Sequence, residues 1–385
     1  MVRLSRKDAA RRGHPVWAEV DLGALRHNIK TLASLSPNAE VMAVVKGYAY
    51  GHGNPACAEA ALEAGATRLG VARVAEALHL REAGIRAPIH VFTEPPPDAA
   101  RTMIEHDLTP AVYTEAFARL LSEQAAAAAR RIAVHVKLDT GMHRVGVAPD
   151  DVPDALRVLK ALPGLELEGA WSHLAVADVP DHPFTRKQLD LFVEMLDIFE
   201  RLKIDLRLRH VANSAATLTL PDAHFDLVRP GAACFGLWPG AALVGSADLR
   251  PVLALRARIN MTKEVSAGDA LSYGLTYRLE RPGRVVTIPA GYADGYPRSL
   301  SGTGEVLINQ ERFRVSGTVC MDQFMVDVGT SGVAIGDVCT LLGSDGHDRI
   351  TTEELAEQIG TINYEVTTRI PSRVPRLYVE DDDDA

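Results

Sequence analysis

The feature that most constrains the fold is an alternation of short apolar runs with longer amphipathic segments, from residue 40 to about residue 230. The runs are rich in β-branched residues, as strands are, and the segments between them carry apolar residues at helical intervals. Eight runs are predicted strands: VMAVVK (41–46), RLGVAR (68–73), PIHVF (88–92), LTPAVY (108–113), RIAVHVKL (131–138), LELEGAWSH (165–173), LRHVANS (208–214) and FDLVRP (225–230). Eight strand–helix units predict an α/β fold, the (β/α)8 TIM barrel.

The pattern changes after about residue 240. Strand-like runs punctuated by Gly, Asp and Asn follow, with one late helix predicted at TTEELAEQIG. These runs are VLALRARINM, RVVTIPAGYA, GEVLINQERFRVSG and MDQFMVDV. We therefore predict a barrel domain over residues 15–243 and a mainly β C-terminal domain over residues 244–385. The early strand at 16–22 could pair with the second domain.

Composition narrows the class of protein. The net charge of −9 argues against nucleic acid or an anionic membrane as the main partner. No apolar run approaches the roughly 18 residues of a spanning helix, and the N-terminus lacks the apolar core of a secretory signal, so we expect a cytoplasmic protein. The acidic end, EDDDDA, is a predicted solvated tail. No C-x-x-C pair joins the four cysteines, so no metal site is predicted: Cys57, Cys234, Cys320 and Cys339.

Polar side chains recur where the predicted barrel strands end, which is where such barrels place their active sites. They are Lys46, Arg144, His173, Asn213-Ser214 and Arg229. Taken alone, a lysine at a strand end usually snorkels to water, a lone histidine is usually a satisfied core residue and an arginine is usually a salt-bridge partner. A desolvated lysine has a lowered pKa and a usable amine, which a Schiff-base enzyme needs. The set therefore favours a catalytic site.

A phosphate site is predicted after strands seven and eight, the usual position in this fold. Ser214 opens a helical run as a candidate N-cap, and Gly231-Ala232 lets the backbone approach a ligand. A lysine at strand one together with this phosphate cradle indicates pyridoxal 5′-phosphate (PLP) as the cofactor.

Sequence blocks over residues 15–378 resemble those of the alanine racemase family, in the family's order. AVVKGYAYGHG resembles the family's PLP-lysine motif. The other blocks are KLDTGMHRVG, WSHLA, ANSAATL, VRPGAACFGL, SYGLTY, GYADGYPR, VCMDQFMVD and GTINYEV. The resemblance implies a PLP-dependent racemase of alanine that supplies D-alanine for peptidoglycan and acts as a head-to-tail homodimer.

The resemblance also implies residue roles. Lys46 would carry PLP as a Schiff base and act as one catalytic base, and Tyr273 from the partner subunit would be the other. His173 would lie beside the pyridine ring, Arg144 near its phenolic oxygen and Arg229 at the ring nitrogen. Further cofactor-binding residues would be Tyr50, Asn213, Ser214, Gly231, Ala232 and Tyr364. The substrate would contact Arg144, Met321, Asp322 and Tyr292, and its access channel would include Ile362, Asp178 and Arg298.

The implied role of Arg229 has a physical rationale. Arginine does not release its proton at ordinary pH, so a ring nitrogen facing it stays unprotonated. The ring then withdraws electrons less strongly, which favours prompt reprotonation over transamination or decarboxylation.

Two places depart from the family's pattern, and a third matches a position that is modified in many relatives. Gly47-Tyr48 stands where a small residue and then Asn or Asp are usual, and Thr318 stands where an arginine is usual. Lys137 matches a lysine that is carbamylated in many relatives.

The sequence alone leaves other functions open. A serine or broad-specificity racemase would share nearly every motif. A barrel decarboxylase is disfavoured by Arg229. A non-catalytic PLP-binding carrier would lack the second domain.

Overall fold

The structure is a computed structural model that describes residues 13–380. The described residues form two compact units. The first contains residues 25–49 and 54–250, and the second contains the described residues before 25, the segment 50–53 and the described residues from 251 onward. Residues 1–12 and all but the first residue of the predicted acidic tail lie outside the described residues.

The first unit is a nearly closed barrel of eight parallel strands, which confirms the predicted fold. The chain begins with β1 (Val16–Asp21), and the barrel strands follow as β2 (Glu40–Val44), β3 (Arg68–Val71), β4 (Ile89–Val91), β5 (Thr109–Val112), β6 (Ile132–Lys137), β7 (Leu165–Trp171), β8 (Leu208–His210) and β9 (Leu227–Val228). Their order is β8-β7-β6-β5-β4-β3-β2-β9. Two backbone hydrogen bonds bring β8 and β9 together, from Asp226 N to Arg209 O (3.1 Å) and from Arg229 N to Ala212 O (3.0 Å).

Helices precede and connect the barrel strands. They are α1 (Leu22–Leu35), α2 (Asn54–Glu63), α3 (Val74–Glu82), α4 (Ala100–Glu105), α5 (Glu115–Ala127), α6 (Val152–Ala161), α7 (Pro183–Arg201) and α8 (Ser214–Thr219). The helical period is clear in α7, where Leu189, Phe192, Leu196 and Phe199 are buried at three- and four-residue spacing. Within the described residues, no helix has the length and apolarity to cross a membrane.

The second unit is mainly β. Its further strands are β10 (Leu253–Arg258), β11 (Met261–Val265), β12 (Ala270–Leu271), β13 (Tyr277–Arg278), β14 (Gly283–Ile288), β15 (Glu305–Ile308), β16 (Glu311–Arg314), β17 (Phe324–Gly329), β18 (Val338–Asp345), β19 (Asp348–Ile350) and β20 (Arg376–Val379). The largest sheet has the order β16-β15-β18-β10-β1-β20, with β19 beside β18. Smaller sheets are β11-β14-β17 and β12-β13. Strand β1 pairs antiparallel with β10 and parallel with β20.

The core of this unit includes Ile288, Phe324 and Leu341, and the Tyr296 ring stacks on Phe324 with 4.9 Å between centroids. The predicted late helix is α9 (Thr352–Ile359). A second helix, α10 (Asn363–Thr368), is not predicted from the sequence. It is one short turn-and-a-half, NYEVTT, with three β-branched residues, so its local signal for a helix is weak.

All eight barrel strands end one to four residues before their predicted ends. The structure ends β2 at Val44 rather than Lys46, β7 at Trp171 rather than His173, and β8 at His210 rather than at Asn213-Ser214. The polar residues therefore lie on the loops just past the strands. At β8 the reason is that Asn213 already caps the next helix.

At β2 the reason is a left-handed turn that begins at Lys46. The φ angles are +63° at Gly47, +56° at Tyr48, +54° at Ala49 and +52° at Tyr50. A left-handed backbone costs about 1–2 kcal/mol for each residue other than glycine, and asparagine tolerates it better than most. Tyr48 is therefore held in an unfavourable conformation immediately next to the site.

We expect Tyr48→Asn to raise the free energy of unfolding by about 1 kcal/mol, because asparagine relieves part of the left-handed strain. The measurement is urea unfolding of the cofactor-free protein. Tyr48→Phe is the control, since phenylalanine has the same backbone preference as tyrosine. Equal stability of the two variants would contradict the strain at this position.

Candidate active site

Four cationic side chains gather past the C-terminal ends of the barrel strands. They are Lys46 after β2, Lys137 at the end of β6, Arg144 in the following loop and Arg229 directly after β9. Desolvation lowers the pKa of Lys46 and of Lys137, and the charges of the two arginines lower both further. The mouth of the barrel is therefore a strongly positive region suited to an anionic ligand.

Lys46 is the more accessible of the two lysines at the barrel mouth. Its side chain reaches solvent, yet the surrounding protein desolvates the ammonium enough to lower its pKa below the ordinary value. Arg144 lowers the pKa further, whereas the Glu76 carboxylate raises it. A lowered pKa increases the fraction of neutral amine, which is the form that attacks a carbonyl.

Glu76 is a positioning residue that the sequence analysis missed. One carboxylate oxygen accepts a hydrogen bond from Gly47 N (2.6 Å). The other accepts from Ala72 N (2.9 Å) and Arg73 N (3.0 Å), at the start of α3. Glu76 thus holds the left-handed turn and the helix start together. The available signal was a glutamate at the third helical position, where a carboxylate commonly reaches back to cap the helix.

Arg229 is buried and held on several sides. Its Nη2 donates to the carbonyls of Ser172 (2.8 Å) and Val211 (3.2 Å), and its Nη1 donates to His210 Nδ1 (2.9 Å). Burial lowers the pKa of Arg229 to about 9, so the guanidinium remains protonated at neutral pH. Its Cζ also lies 5.0 Å from the centroid of the Trp171 ring, a cation–π distance.

Lys137 also lies over the Trp171 ring. Its Nζ lies 5.0 Å from the Trp171 centroid and donates to Leu138 O at 2.5 Å. Desolvation and then the Arg229 charge lower the pKa of Lys137 to about 7. A substantial fraction of its amine is therefore neutral at neutral pH.

His173 is half-buried next to Arg229, with 3.5 Å between its Nδ1 and Arg229 Nη2. Burial, followed by the charges of Arg229 and Arg144, lowers the pKa of His173 well below its ordinary value. The imidazole is therefore neutral and can accept a hydrogen bond at the site.

The start of α8 corrects one prediction. Asn213, not Ser214, is the N-cap, and its Oδ1 accepts from Ala216 N at 3.1 Å. Ser214 Oγ instead accepts from Gly231 N (2.9 Å) and Ala233 N (3.2 Å), which ties α8 to the loop after β9. The first N–H groups of a helix have no helical acceptor, and phosphate oxygens are suitable partners for them.

Tyr273 lies in the second unit on a strained and exposed loop. Its side chain is 75% exposed, and its neighbours Ser272 and Leu275 have φ angles of +64° and +51°. Thr318 Oγ1 donates to Tyr273 O (2.8 Å), and Ser272 Oγ donates to Thr318 O (2.7 Å). The residue that replaces the usual arginine thus anchors this loop.

The remaining predicted residues of the second unit fall into two groups. Tyr292, Met321 and Ile362 are large apolar side chains exposed in the single chain. Tyr50 and Tyr364 meet edge to face, with 5.9 Å between ring centroids.

Arg373, which no motif indicated, holds Asp322 in place. Its Nη2 binds Asp322 Oδ1 (2.7 Å), and its Nε binds Oδ1 of the buried Asp294 (2.8 Å). Among residues 13–380 no cluster of three or more His, Cys, Asp or Glu side chains could hold a metal ion.

The residues that the sequence predicts for the site are thus found in both units. The barrel mouth brings together Lys46, Arg144, His173, Asn213, Ser214, Arg229, Gly231, Ala232 and Lys137, and the second unit carries Tyr50, Tyr273, Tyr292, Met321, Asp322 and Tyr364.

Two substitutions are expected to move the pKa of Lys46 in opposite directions. Arg144→Gln removes a cation and should raise it, whereas Glu76→Gln removes an anion and should lower it further. The measurement is the pH dependence of Lys46 acylation in the cofactor-free protein, read by peptide mapping. Glu82→Gln, an exposed carboxylate on the same helix, is the control. Shifts of one sign in both variants would contradict the electrostatic assignment.

Comparisons with known proteins agree along the whole chain. The model of the alanine racemase N-terminal domain matches residues 20–239, and that of the C-terminal domain matches residues 252–378. An alanine racemase of Desulforamulus reducens is 44% identical over 95% of this chain and 99% of its own length. An alanine racemase of Salinispora arenicola is 46% identical over 93% of this chain and 97% of its own length.

Solved structures give the same result. The crystal structure of alanine racemase from Streptomyces lavendulae has a TM-score of 0.90 at 43% identity and covers 95% of this chain and 97% of its own. A histidine racemase from Leuconostoc mesenteroides is also similar, with a TM-score of 0.85 at 31% identity over 96% of this chain and 99% of its own. The two family models and the high identity to relatives over nearly their full length show that the chain belongs to the alanine racemase family.

Proposed function

We propose that this chain interconverts L-alanine and D-alanine and so supplies D-alanine for peptidoglycan. The observation that carries the proposal is an accessible Lys46 amine with a lowered pKa beside the cations of Arg144 and Arg229 at the barrel mouth. An amine of this kind can bind an aldehyde, and the cations can bind the phosphate of a cofactor and the carboxylate of an amino acid. The choice of alanine as the substrate rests on the similarity to alanine racemases at 44% and 46% identity.

We infer that the cofactor is PLP, because the residues present fit its chemical groups. Lys46 would hold its aldehyde carbon, and the first N–H groups of α8 together with Gly231 and Ala232 would hold its phosphate. Arg229 would hold the ring nitrogen. When bound, PLP supplies an electron-withdrawing ring that acidifies the α C–H bond of an amino acid attached to it.

Arg229 limits which reaction follows. It has only hydrogen-bond donors and remains protonated at neutral pH. A ring nitrogen that accepts from it gains a hydrogen bond but no proton. Arg229 would thereby keep electron withdrawal by the cofactor ring modest and favour return of a proton to the α carbon of the substrate.

Two bases move the α proton in our proposal. Lys46 Nζ removes or returns it on one face, and Tyr273 Oη does so on the other, so that the substrate need not rotate. Tyr273 is 75% exposed in a single chain, and Tyr292, Met321 and Ile362 are exposed apolar residues of the same unit. We propose that a two-fold homodimer covers them and places Tyr273 in the partner's site.

We further propose that Lys137 is carbamylated. Its neutral amine adds carbon dioxide to form a carbamate anion and release a proton, which replaces repulsion from Arg144 and Arg229 by attraction. Carbon-13 NMR after equilibration with labelled bicarbonate should show a carbamate signal that Lys137→Met abolishes. A wild-type spectrum without that signal would contradict this modification.

The purified protein with PLP is expected to racemise L-alanine faster than L-serine, L-histidine or other members of an amino-acid panel, as measured by chiral chromatography. Lys46→Ala should slow racemisation by about 100-fold or more, because it removes a proton-transferring base. Faster turnover of serine or histidine would reassign the substrate. Failure to racemise any member would overturn the proposed function.

Mixed dimers test the shared site. Lys46→Ala and Tyr273→Phe homodimers should each racemise very poorly. In a mixed dimer one site carries both lesions and the other carries neither, so random exchange should restore about a quarter of wild-type activity. If each chain supplied both bases to its own site, verified subunit exchange would restore nothing.

A further inference from the structure

The interior of the barrel contains histidines at positions where such barrels usually carry branched aliphatic residues. His90 on β4, His135 on β6 and His210 at the end of β8 are all buried. The His90 and His135 rings stack with 4.6 Å between centroids, and Trp171 lies parallel to His210. Most buried polar side chains have hydrogen-bond partners, and those of His135 and His210 indicate what these two rings do.

Two of these rings connect Arg229 to a carboxylate on β7. Arg229 Nη1 lies 2.9 Å from His210 Nδ1, and His210 Nε2 lies 2.8 Å from His135 Nδ1. His135 Nε2 lies 3.0 Å from Glu168 Oε2. Three consecutive hydrogen bonds therefore run through the barrel interior, from the guanidinium at the mouth to Glu168.

The chemistry of its two ends fixes the donor-to-acceptor direction of this series of hydrogen bonds. A guanidinium only donates, an ionised carboxylate only accepts, and a neutral imidazole does one of each. His210 must therefore accept at Nδ1 and donate from Nε2, and His135 must do the same. The opposite tautomer of His210 would set its own N–H against that of Arg229.

The charge states required for this direction are those expected of the four residues. Burial lowers the pKa of both histidines, which keeps them neutral. Burial alone would raise the pKa of Glu168, but hydrogen bonds from His135 and Arg68 hold it at about 2. Arg68 binds this carboxylate with two nitrogens, at 2.6 and 3.2 Å, which fixes its orientation.

We propose that Glu168 is a positioning residue for the active site, which orients Arg229 and stabilises its charge through the neutral rings of His135 and His210. Each ring is polarised by the carboxylate and passes that polarisation to the next. Glu168 thereby supports the donor that would hold the cofactor's ring nitrogen. For the consequence in catalysis, the inference rests on the proposed function.

The first test reads the tautomers directly, in protein labelled with nitrogen-15 histidine and measured with and without PLP. Long-range nitrogen–proton correlation spectra should show His135 and His210 as neutral Nε2–H tautomers at neutral pH. Single His135→Phe and His210→Phe variants assign the signals. An Nδ1–H tautomer or an imidazolium at either position would overturn the proposed chain.

The second test uses Glu168→Gln, which keeps the shape of the side chain and one acceptor oxygen but removes the charge and adds a donor. In the PLP-loaded enzyme we expect kcat for racemisation to fall by about tenfold with little change in KM, the scale known for groups that orient metal ligands. The fraction of turnovers ending in transamination should rise. Glu166→Gln, on the exposed side of the same strand, should behave as wild type.

His135→Phe is the second variant, because it interrupts the chain and leaves the Glu168–Arg68 ion pair and the ring stacked on His90. It should shift the partition between racemisation and transamination in the same direction. If a folded variant, Glu168→Gln or His135→Phe, divided its turnovers between racemisation and transamination as the wild type does, the positioning role would be overturned. This would hold even if the spectra showed the expected tautomers. The tautomer spectra need no alanine turnover, so failure of this inference and failure of the proposed function are distinguishable.

Discussion

Positive charge concentrated on Lys46, Lys137, Arg144 and Arg229 at the mouth of the barrel governs the chemistry of the site. Desolvation and the neighbouring arginines lower the pKa of both Lys46 and Lys137. Anions offset the repulsion from different sides: Glu76 beside Lys46 and Asp139 beside Lys137. In our proposal Glu168 acts on Arg229 through the buried histidines. The remaining positive charge makes the mouth a place where a bound anion stabilises the folded chain.

Hydrogen bonds hold the reactive groups within this field. Glu76 fixes the left-handed turn after Lys46 by accepting from Gly47 N. Backbone carbonyls of Ser172 and Val211 hold Arg229 from one side. In the second unit Thr318 performs a comparable task for Tyr273, whose carbonyl it binds at 2.8 Å. The two proposed bases thus lie on or beside short loops with left-handed backbone that side-chain hydrogen bonds hold in place.

Much of this could be predicted from the sequence, for reasons that differ between residues. Strand periodicity located all eight barrel strands, and the strand ends located Lys46 and Arg229. The left-handed turn at Tyr48 could not be predicted, because no local residue other than Gly47 favours it. The hydrogen bonds of His135 and Glu168 join residues 33 positions apart, so only the closed barrel brings them together.

In the proposed site Lys46, rather than another lysine of the barrel mouth, binds the cofactor's aldehyde. Lys137 is the informative competitor, since burial and Arg229 lower its pKa to about 7, yet its side chain is only 3% exposed. The most direct measurement is borohydride reduction of the PLP-loaded protein followed by peptide mapping. We expect a pyridoxyl group on Lys46 alone, and a label on Lys137 or any other lysine would contradict this assignment.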